Sequence, residues 1–179
     1  PAQAFDPGRR CALSDEHALE AWKAEADDII ATMVKYVNDP ILILSGDKDF
    51  IQLHRPGVKQ YDPTRKKWIT HPNPSEFLRE HIIKGDAGDG IPNIKNNDNV
   101  IAISQRQSPI TKKFISEITE FLNSDLKGSK WERNYLRNAQ LIDLANIPES
   151  IRLNIWKTYT DQPNKGREKL FNYFVTHKL

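Results

Sequence analysis

The feature that most constrains the fold is an uninterrupted run of four aliphatic residues, Ile41–Leu44, followed at once by the acidic loop 45–49. Such runs are typical of strands that are buried on both faces of an α/β sheet. In these sheets ligands bind beyond the carboxyl ends of the strands, so loop 45–49 is a favoured position for a functional site. The run therefore predicts an α/β protein whose site lies at one edge of its sheet.

Neighbouring segments supply the other elements that such a core needs. Apolar residues spaced three and four apart predict an amphipathic helix over 25–37. Two β-prone segments, 58–61 and 67–70, flank a turn and predict an antiparallel hairpin. The sequence Asn-Pro-Ser-Glu then predicts a capped helix that runs to Lys84 and closes at a glycine. A helix over 110–122 and three short helices from residue 131 onward complete the predicted order.

Composition limits the class of protein. The chain has 179 residues, of which 38% are hydrophobic and 28% charged, as expected for one globular unit. No apolar run approaches the roughly 20 residues that a membrane-spanning helix needs. The single cysteine, Cys11, excludes an internal disulfide framework and a multi-cysteine zinc site, and it fits a reducing compartment. We therefore expect a soluble, cytoplasmic protein with no membrane partner.

The charge is unevenly distributed along the chain. Residues 1–50 carry a formal charge of −5 and residues 51–179 a charge of +7. An acidic first part and a basic remainder could combine a carboxylate cluster for cations with a surface for polyanions. A solvated surface with unevenly distributed charge explains the same charge difference, and on charge alone it is the favoured explanation.

Three acidic groups fall at predicted element boundaries. They are Glu25-Ala-Asp27-Asp28 at a helix start, Asp47-Lys-Asp49 after the strand, and Asp86-Ala-Gly-Asp89 in a glycine-rich turn. At about 100° per residue, Glu25 and Asp27 border the apolar helix face while Asp28 points away from it. Each group alone has a simpler explanation, because acids favour helix N-termini and aspartates are common in turns.

Together the three groups indicate a site for hard cations. Clustered carboxylates without cysteine or paired histidine favour Mg²⁺ or Mn²⁺ over zinc. Two such ions about 4 Å apart would suit hydrolysis of a phosphodiester bond. The five histidines show no paired spacing, and we expect them to be structural or exposed: His17, His54, His71, His81 and His177. Three tryptophans in apolar periodic contexts are expected in the core: Trp68, Trp131 and Trp156.

These motifs, in their order and approximate spacing, resemble the flap endonuclease and 5′-nuclease family. The resemblance rests on Glu-Ala-Asp-Asp-Ile at 25–29, Ser-Gly-Asp-Lys-Asp-Phe at 45–50 and Lys-Gly-Asp-Ala-Gly-Asp-Gly-Ile-Pro at 84–92. Later segments, including 141–148 and 167–175, most resemble the RNase H branch of T-even-type bacteriophages. The similarity covers about residues 22–179.

The resemblance implies a fold and its division along the chain. It implies a partial PIN-like 5′-nuclease core with a parallel strand and a hairpin, including a helix–turn–helix-like DNA-binding element around 84–100, followed by a helical region. Residues 1–22 then form a tail or truncated junction, 23–109 the C-terminal part of the catalytic core, and 110–179 the helical C-terminal region. Because the family's N-terminal aspartates, strands and helical arch have no counterpart in 1–22, the chain is expected to be the C-terminal portion of such a nuclease.

The resemblance also implies an activity and a metal site. The activity is that of a Mg²⁺-dependent 5′-to-3′ exonuclease and flap endonuclease, with two ions and with Mn²⁺ able to replace Mg²⁺, which removes RNA primers and DNA flaps in replication. The metal-site positions are Glu25, Asp27, Asp47, Asp49, Asp86 and Asp89, of which the first four are also the expected catalytic residues. Two alternatives stay open: a catalytically incomplete DNA-binding fragment of such a nuclease, and a PIN-like ribonuclease.

Expected partners follow from the same resemblance. They are branched or nicked DNA and RNA–DNA hybrid, with replication-fork proteins such as a single-strand-binding protein or sliding clamp, for a monomer in the cytoplasm of an infected bacterial host. Residues expected to contact DNA are Lys84, Gly85, Gly88, Gly90, Lys95, Lys66, Lys67, Lys112 and Lys113, with Arg65, Lys127 and Lys130 as further phosphate contacts. The duplex-binding turn is also an expected K⁺ position.

Overall fold

The structure, a computed structural model that describes residues 24–124 and 128–161, contains a three-stranded sheet. Its strands are β1 (Ile41–Leu44), β2 (Val58–Asp62) and β3 (Lys67–Ile69), in the spatial order β1-β2-β3. β1 pairs with β2 in parallel, whereas β2 and β3 form an antiparallel hairpin. The α/β class and the hairpin predicted from the sequence are confirmed.

Five α-helices form within the described residues. They are α1 (Ala26–Tyr36), α2 (Pro74–Lys84), α3 (Lys112–Ser124), α4 (Glu132–Ile142) and α5 (Glu149–Asp161). Short 3-10 turns follow the loop after β1 and the end of α4. The predicted tail 1–22 and the last predicted helix lie outside the described residues. No helix in the described parts of the chain combines the length and apolar character that crossing a membrane requires.

The sheet is covered on one face only. Ile43 is 5% exposed and packs with Val34 of α1, Phe50 and Val58, whereas Leu42 and Leu44 are 52% and 64% exposed. The prediction that β1 is buried on both faces is therefore wrong for the described residues. The reason is that α1 packs against one side of the strand, and nothing described covers the other.

The open face also explains an error about tryptophan. The strand register places Tyr61 opposite Leu44 and opposite Trp68, so all three side chains share this face. Trp68 is 57% exposed and contacts Tyr61 edge-on, with ring centroids 5.1 Å apart. The predicted core position of Trp68 is wrong, because its apolar neighbours lie on the side of the sheet that no helix covers.

A second apolar cluster joins α2 to the helical region. Ile83, Ile94, Phe114 and Ile118 form its buried centre. Trp131 packs on Phe114 edge-on, with ring centroids 5.4 Å apart, which agrees with its predicted core position. This cluster fixes the position of α2, and therefore of the turn that follows it, against α3 and α4.

The segment after that turn does not continue as a helix. From 93 to 104 the chain runs through successive turns, and the next helix begins only with α3, so the second helix of the predicted helix–turn–helix-like element is not formed within 84–100. The side chain of Asn93 accepts the Lys95 N–H (3.0 Å) and donates to the Ser108 carbonyl (2.9 Å), and that of Asn96 accepts the Ser108 N–H (3.1 Å). Such side-chain bonds to nearby backbone compete with helix formation.

Candidate metal centre

Carboxylates from two separate elements meet at the carboxyl end of β1. Asp27 lies in the first turn of α1, and Asp47 and Asp49 follow β1. One carboxylate oxygen from each of the three lies within 4.8 Å of the others. The structure thus brings three of the predicted metal-site residues together at the predicted edge of the sheet.

A second group shares Asp49 and includes a histidine. Ligand atoms of Asp49, His81 and Asp86 lie within 4.8 Å of one another. Nδ1 of His81 lies 3.4 Å from Oδ1 of Asp49, and its Nε2 lies 3.3 Å from Oδ2 of Asp86. His81 is thus largely buried between two of the predicted metal-site residues, a position that the histidine spacing did not predict. Its place on the last turn of a helix that leads directly into an acidic turn is the signal that could have identified it.

The loop after β1 is held from β2 by a buried glutamine. Gln60 is 1% exposed, and its amide donates to the carbonyl oxygens of Ser45 (2.9 Å) and Asp47. Its Oε1 in turn bonds Nε2 of His54 at 2.9 Å. Within the loop, Oδ1 of Asp47 accepts the N–H of Asp49 at 3.0 Å. Sequence reasoning missed Gln60, although a polar residue at an inward-facing strand position is an available signal.

The turn after α2 needs glycine for its shape. Gly85 has φ +68°, and a Cβ there would lie 2.5 Å from the Ile91 carbonyl oxygen. Oδ1 of Asp86 accepts the backbone N–H groups of Gly88 (2.8 Å) and Asp89 (3.3 Å). These bonds orient Asp86 so that its second oxygen faces His81.

The surroundings of Asp49, the residue that both groups share, disfavour its charged form. Burial is the largest cause that raises the pKa of Asp49 to about 6; His81 opposes this, and the charges of Asp47 and Asp86 add to it. Burial, followed by the charge of Asp47, also raises the pKa of Asp27. Within the described residues, no lysine or arginine forms an ion pair with Asp27, Asp47 or Asp49. A divalent cation would supply the missing positive charge.

Asp86 differs from its neighbours. Burial acts to raise its pKa, but the N–H groups of Gly88 and Asp89 and the bond to His81 outweigh it and lower the pKa. Nδ1 of His81 is a buried atom without a hydrogen-bond partner in the part of the chain that the structure describes. Carboxylate oxygens with an orphaned ring nitrogen fit a divalent metal ion.

The remaining predicted ligands lie at the rim. Glu25 and Asp89 are exposed and belong to neither group of ligand atoms, although their charges act to raise the pKa of Asp27. Oδ2 of Asp28 accepts the Glu25 N–H at 3.0 Å, so this side chain caps α1.

A cleft of about 460 Å³ opens over the two clusters of ligand atoms described above. Its lining combines Asp47, Asp49 and Asp86 with the side chains of Lys48, Arg65 and Lys84. Lys84 is ion-paired with Glu80, and Arg65 lies 3.4 Å from Asp62. Among these three cations, sequence reasoning singled out Arg65 and Lys84 but not Lys48.

Some of the lysines predicted to contact DNA are exposed, and others contact groups within the fold. Lys66 and Lys67 are exposed at the hairpin, and Lys112 is exposed at the start of α3. Lys113 lies 3.9 Å from Glu117. Lys95 is engaged within the fold instead: its Nζ bonds the Pro109 carbonyl (3.1 Å) and lies 3.9 Å from the Phe114 ring centroid. Nζ of Lys130 lies 4.4 Å from the Trp131 ring centroid, and Lys127 lies outside the described residues.

Two solved structures of T5 proteins align with most of this chain. The T5 D15 protein co-crystallized with metal ions aligns with a TM-score of 0.49 at 19% identity, covering 76% of this chain and 60% of that one. A T5 5′-exonuclease mutant aligns with a TM-score of 0.48 at 20% identity, covering 75% and 66%.

Known sequences give a more specific result. Ribonuclease H of Enterobacteria phage T4 is 34% identical over an alignment of 168 residues that covers 86% of this chain and 54% of that protein. Flap endonuclease Xni of Shewanella halifaxensis is 27% identical over an alignment of 144 residues that covers 73% of this chain and 55% of the relative. The chain thus spans about half the length of these curated relatives.

Family models cover almost the whole chain. The model for the 5′-3′ exonuclease N-terminal resolvase-like domain matches residues 12–81, and the model for the C-terminal part of T4 RNase H matches residues 76–179. The second match extends over more than half of the chain and confirms the resemblance seen in the acidic motifs. This chain therefore belongs to the T4 RNase H family.

Proposed function

We propose that this chain carries the carboxylate centre of a metal-dependent 5′-nuclease, a 5′-to-3′ exonuclease and flap endonuclease that hydrolyses phosphodiester bonds of RNA primers and DNA flaps. The observation that carries the proposal is the convergence of Asp27, Asp47 and Asp49 at the end of β1 with no lysine or arginine ion-paired to them among the described residues. Family membership supports the same reaction class.

The residues fit Mg²⁺, with two ions in the complete enzyme and Mn²⁺ able to replace Mg²⁺. When bound, such ions activate water and neutralise the charge that develops on the phosphate. Gln60 keeps the loop between β1 and the first 3-10 turn in place, and the turn amides orient Asp86. The cations Lys48, Arg65 and Lys84 would draw the phosphate backbone toward the cleft, with a steep dependence on salt.

The substrates that we propose are branched or nicked DNA and RNA–DNA hybrid. The glycine turn that includes Gly88 and Gly90 would contact duplex backbone with K⁺, and Lys66, Lys67, Lys112 and Lys113 would add phosphate contacts. In this proposal the core is residues 23–109 and the helical region is 110–179, acting as a monomer with a single-strand-binding protein or sliding clamp in the cytoplasm of an infected bacterium.

A second candidate function is DNA binding without complete catalysis. It is favoured by the exposed lysines Lys66, Lys67 and Lys112, because phosphate binding needs positive charge and no metal ion. The PIN-like ribonuclease alternative loses support, because residues 76–179 match the C-terminal part of T4 RNase H.

Cleavage of a 5′-labelled flap and of a nicked duplex, in Mg²⁺ and in Mn²⁺, tests the proposal. We expect the Asp47→Asn/Asp49→Asn variant to lose about a thousandfold in rate, since several kcal/mol of transition-state stabilisation depend on the metal site. Asp161→Asn, which removes an exposed acid at the end of α5, is the matched control. Cleavage that is unchanged in the double variant would overturn the proposal. Salt-sensitive binding without cleavage by the wild-type chain would support the second candidate.

A further inference from the structure

His81 lies between the two acidic segments of the site. It belongs to the last turn of α2, and its side chain is 14% exposed. One ring nitrogen faces Asp49 of the loop after β1, and the other faces Asp86 of the turn after α2. No other histidine among the described residues belongs to either group of ligand atoms.

The two ring nitrogens have different surroundings. Nε2 is hydrogen-bonded to Oδ2 of Asp86 at 3.3 Å. A carboxylate can only accept, so in a neutral ring Nε2 carries the hydrogen and Nδ1 carries the lone pair. Nδ1 is buried, makes no hydrogen bond within the described residues and lies 3.4 Å from Oδ1 of Asp49. A lone pair that faces a carboxylate oxygen is unfavourable unless a proton or a metal cation lies between them.

The distances and the partners of Asp86 favour a metal ion as that cation. Adjacent ligands of an octahedral ion with bonds of about 2.1 Å lie about 3 Å apart, close to the observed separation of Nδ1 and Oδ1. Both oxygens of Asp86 are already engaged, Oδ1 by the Gly88 N–H and Oδ2 by His81. A carboxylate that holds the far N–H of an imidazole is the usual outer partner of a metal-binding histidine.

We propose that Nδ1 of His81 is a metal ligand together with Asp49, that Asp86 orients the ring, and that this position selects Mn²⁺ over Mg²⁺. Mg²⁺ prefers oxygen ligands, whereas an imidazole nitrogen suits first-row transition metals. The inference rests on the proposed nuclease function and deepens it, because it assigns Asp86 an orienting role and names the cation that the second group prefers.

Electron spin echo spectroscopy of Mn²⁺ bound to the 179-residue chain tests the ligand directly. We expect a modulation from a directly bound ¹⁴N nucleus, and its replacement by a ¹⁵N signal when the protein is grown with ¹⁵N-histidine. This comparison uses the wild-type chain, so it does not depend on the folding of any variant.

Two variants assign the signal to His81. His81→Gln should lose the nitrogen modulation and at least about tenfold of the Mn²⁺-over-Mg²⁺ preference measured by calorimetry. Asp86→Asn keeps an acceptor for the Nε2 hydrogen, so it should keep the modulation while Mn²⁺ affinity falls. His71→Gln, which removes a histidine that contacts the Asn73 backbone, is the matched control and should leave both measurements unchanged.

The possible failures are distinguishable. Bound Mn²⁺ without nitrogen modulation in the wild type would overturn the role of His81, and the nuclease proposal would stand if the double aspartate variant still abolished cleavage. Modulation that persists in His81→Gln would likewise overturn it. Failure of the wild-type chain to bind Mn²⁺ at all would count against both proposals.

Discussion

Asp49 and Asp98 are carboxylates in opposite surroundings. Asp49 is half-buried among other acids, and burial first of all raises its pKa to about 6. Asp98 is exposed between Arg133 and Arg137, whose hydrogen bonds hold its pKa well below the ordinary value. The charge of Asp49 lowers the stability of the folded chain, whereas the charge of Asp98 is balanced by two arginines.

The contrast separates the acidic site from the residues that hold it. Asp98 lies beside three side chains of α4 that bond the end of α2 and the segment after it. We call these three side chains the clasp: Asn134, Arg137 and Asn138. Nδ2 of Asn138 donates to the carbonyls of Ile82 (2.8 Å) and Pro92 (2.9 Å), and Nδ2 of Asn134 donates to that of Ile94 (2.9 Å). The clasp is saturated with partners, while the site keeps an unbalanced charge that a cation can neutralise.

The largest effect is expected where the clasp is buried. Asn138 is 0% exposed, and Asn138→Leu would leave the Ile82 carbonyl without its donor and the Nε–H of Arg137 without its acceptor among the described residues. The Pro92 carbonyl would keep its bond from Nη2 of Arg137. Each orphaned group costs about 1–3 kcal/mol, so the free energy of unfolding should fall by about 3 kcal/mol in urea denaturation. Gln140→Leu, an exposed position on the same helix, is the control. A loss no larger than in that control would show that the clasp does not hold the turn.

The next largest effect is expected from cation binding, which should depend on the acidic site and not on Asp98. Mg²⁺ or Mn²⁺ at about a hundred times its Kd should raise the free energy of unfolding by about 2.7 kcal/mol, because it binds only the folded site. Asp47→Asn/Asp49→Asn should lose this gain, whereas Asp98→Asn should keep it. Thermal unfolding with and without the cation measures both. Equal gains in all three proteins would place the bound cation elsewhere.

Without a cation, Asp49→Asn should stabilise the chain. The raised pKa means that the folded state binds its proton more tightly than the unfolded state, so the free energy of unfolding falls as pH rises from about 4 to about 6. Asn mimics the protonated form, and above pH 6 we expect the variant to be more stable by about 1 kcal/mol after solvent screening. Urea denaturation in chelator at pH 4 and pH 7 checks this: the difference should nearly vanish at pH 4. A variant that is less stable than wild type at pH 7 would contradict the account of Asp49.

Local patterns explain which features could be predicted. The acidic loop after β1, the start of α1 and the glycine turn after α2 each follow from a few consecutive residues, so their positions were predictable. The two-sided burial of β1 was not, because the same aliphatic run fits a strand that only one helix covers. Leu44 and Trp68 share the uncovered face, and their exposure depends on packing rather than on their own sequence context.

The missed site residues have a common cause. His81 and Gln60 act on the loop after β1 from other elements, α2 and β2. No spacing along the chain connects them to Asp47 or Asp49. Their roles follow from the sheet register and from the packing of α2 against the apolar cluster that includes Ile83. Sequence motifs therefore predicted acids that converge in the structure, but not the residues that contact them from other elements.

The smallest effect is expected at Asp98. Its pKa is lowered by Arg133 and Arg137, so its contribution to stability is present above the ordinary aspartate pKa and is lost only as pH falls through the lower folded value. Because the carboxylate is exposed and screened by water, Asp98→Asn should lower the urea midpoint at pH 7 less than Asn138→Leu does, and the difference should shrink in high salt. A loss as large as that of Asn138→Leu, or one unaffected by salt, would mean that the ion pairs and not the buried amide hold the turn in place.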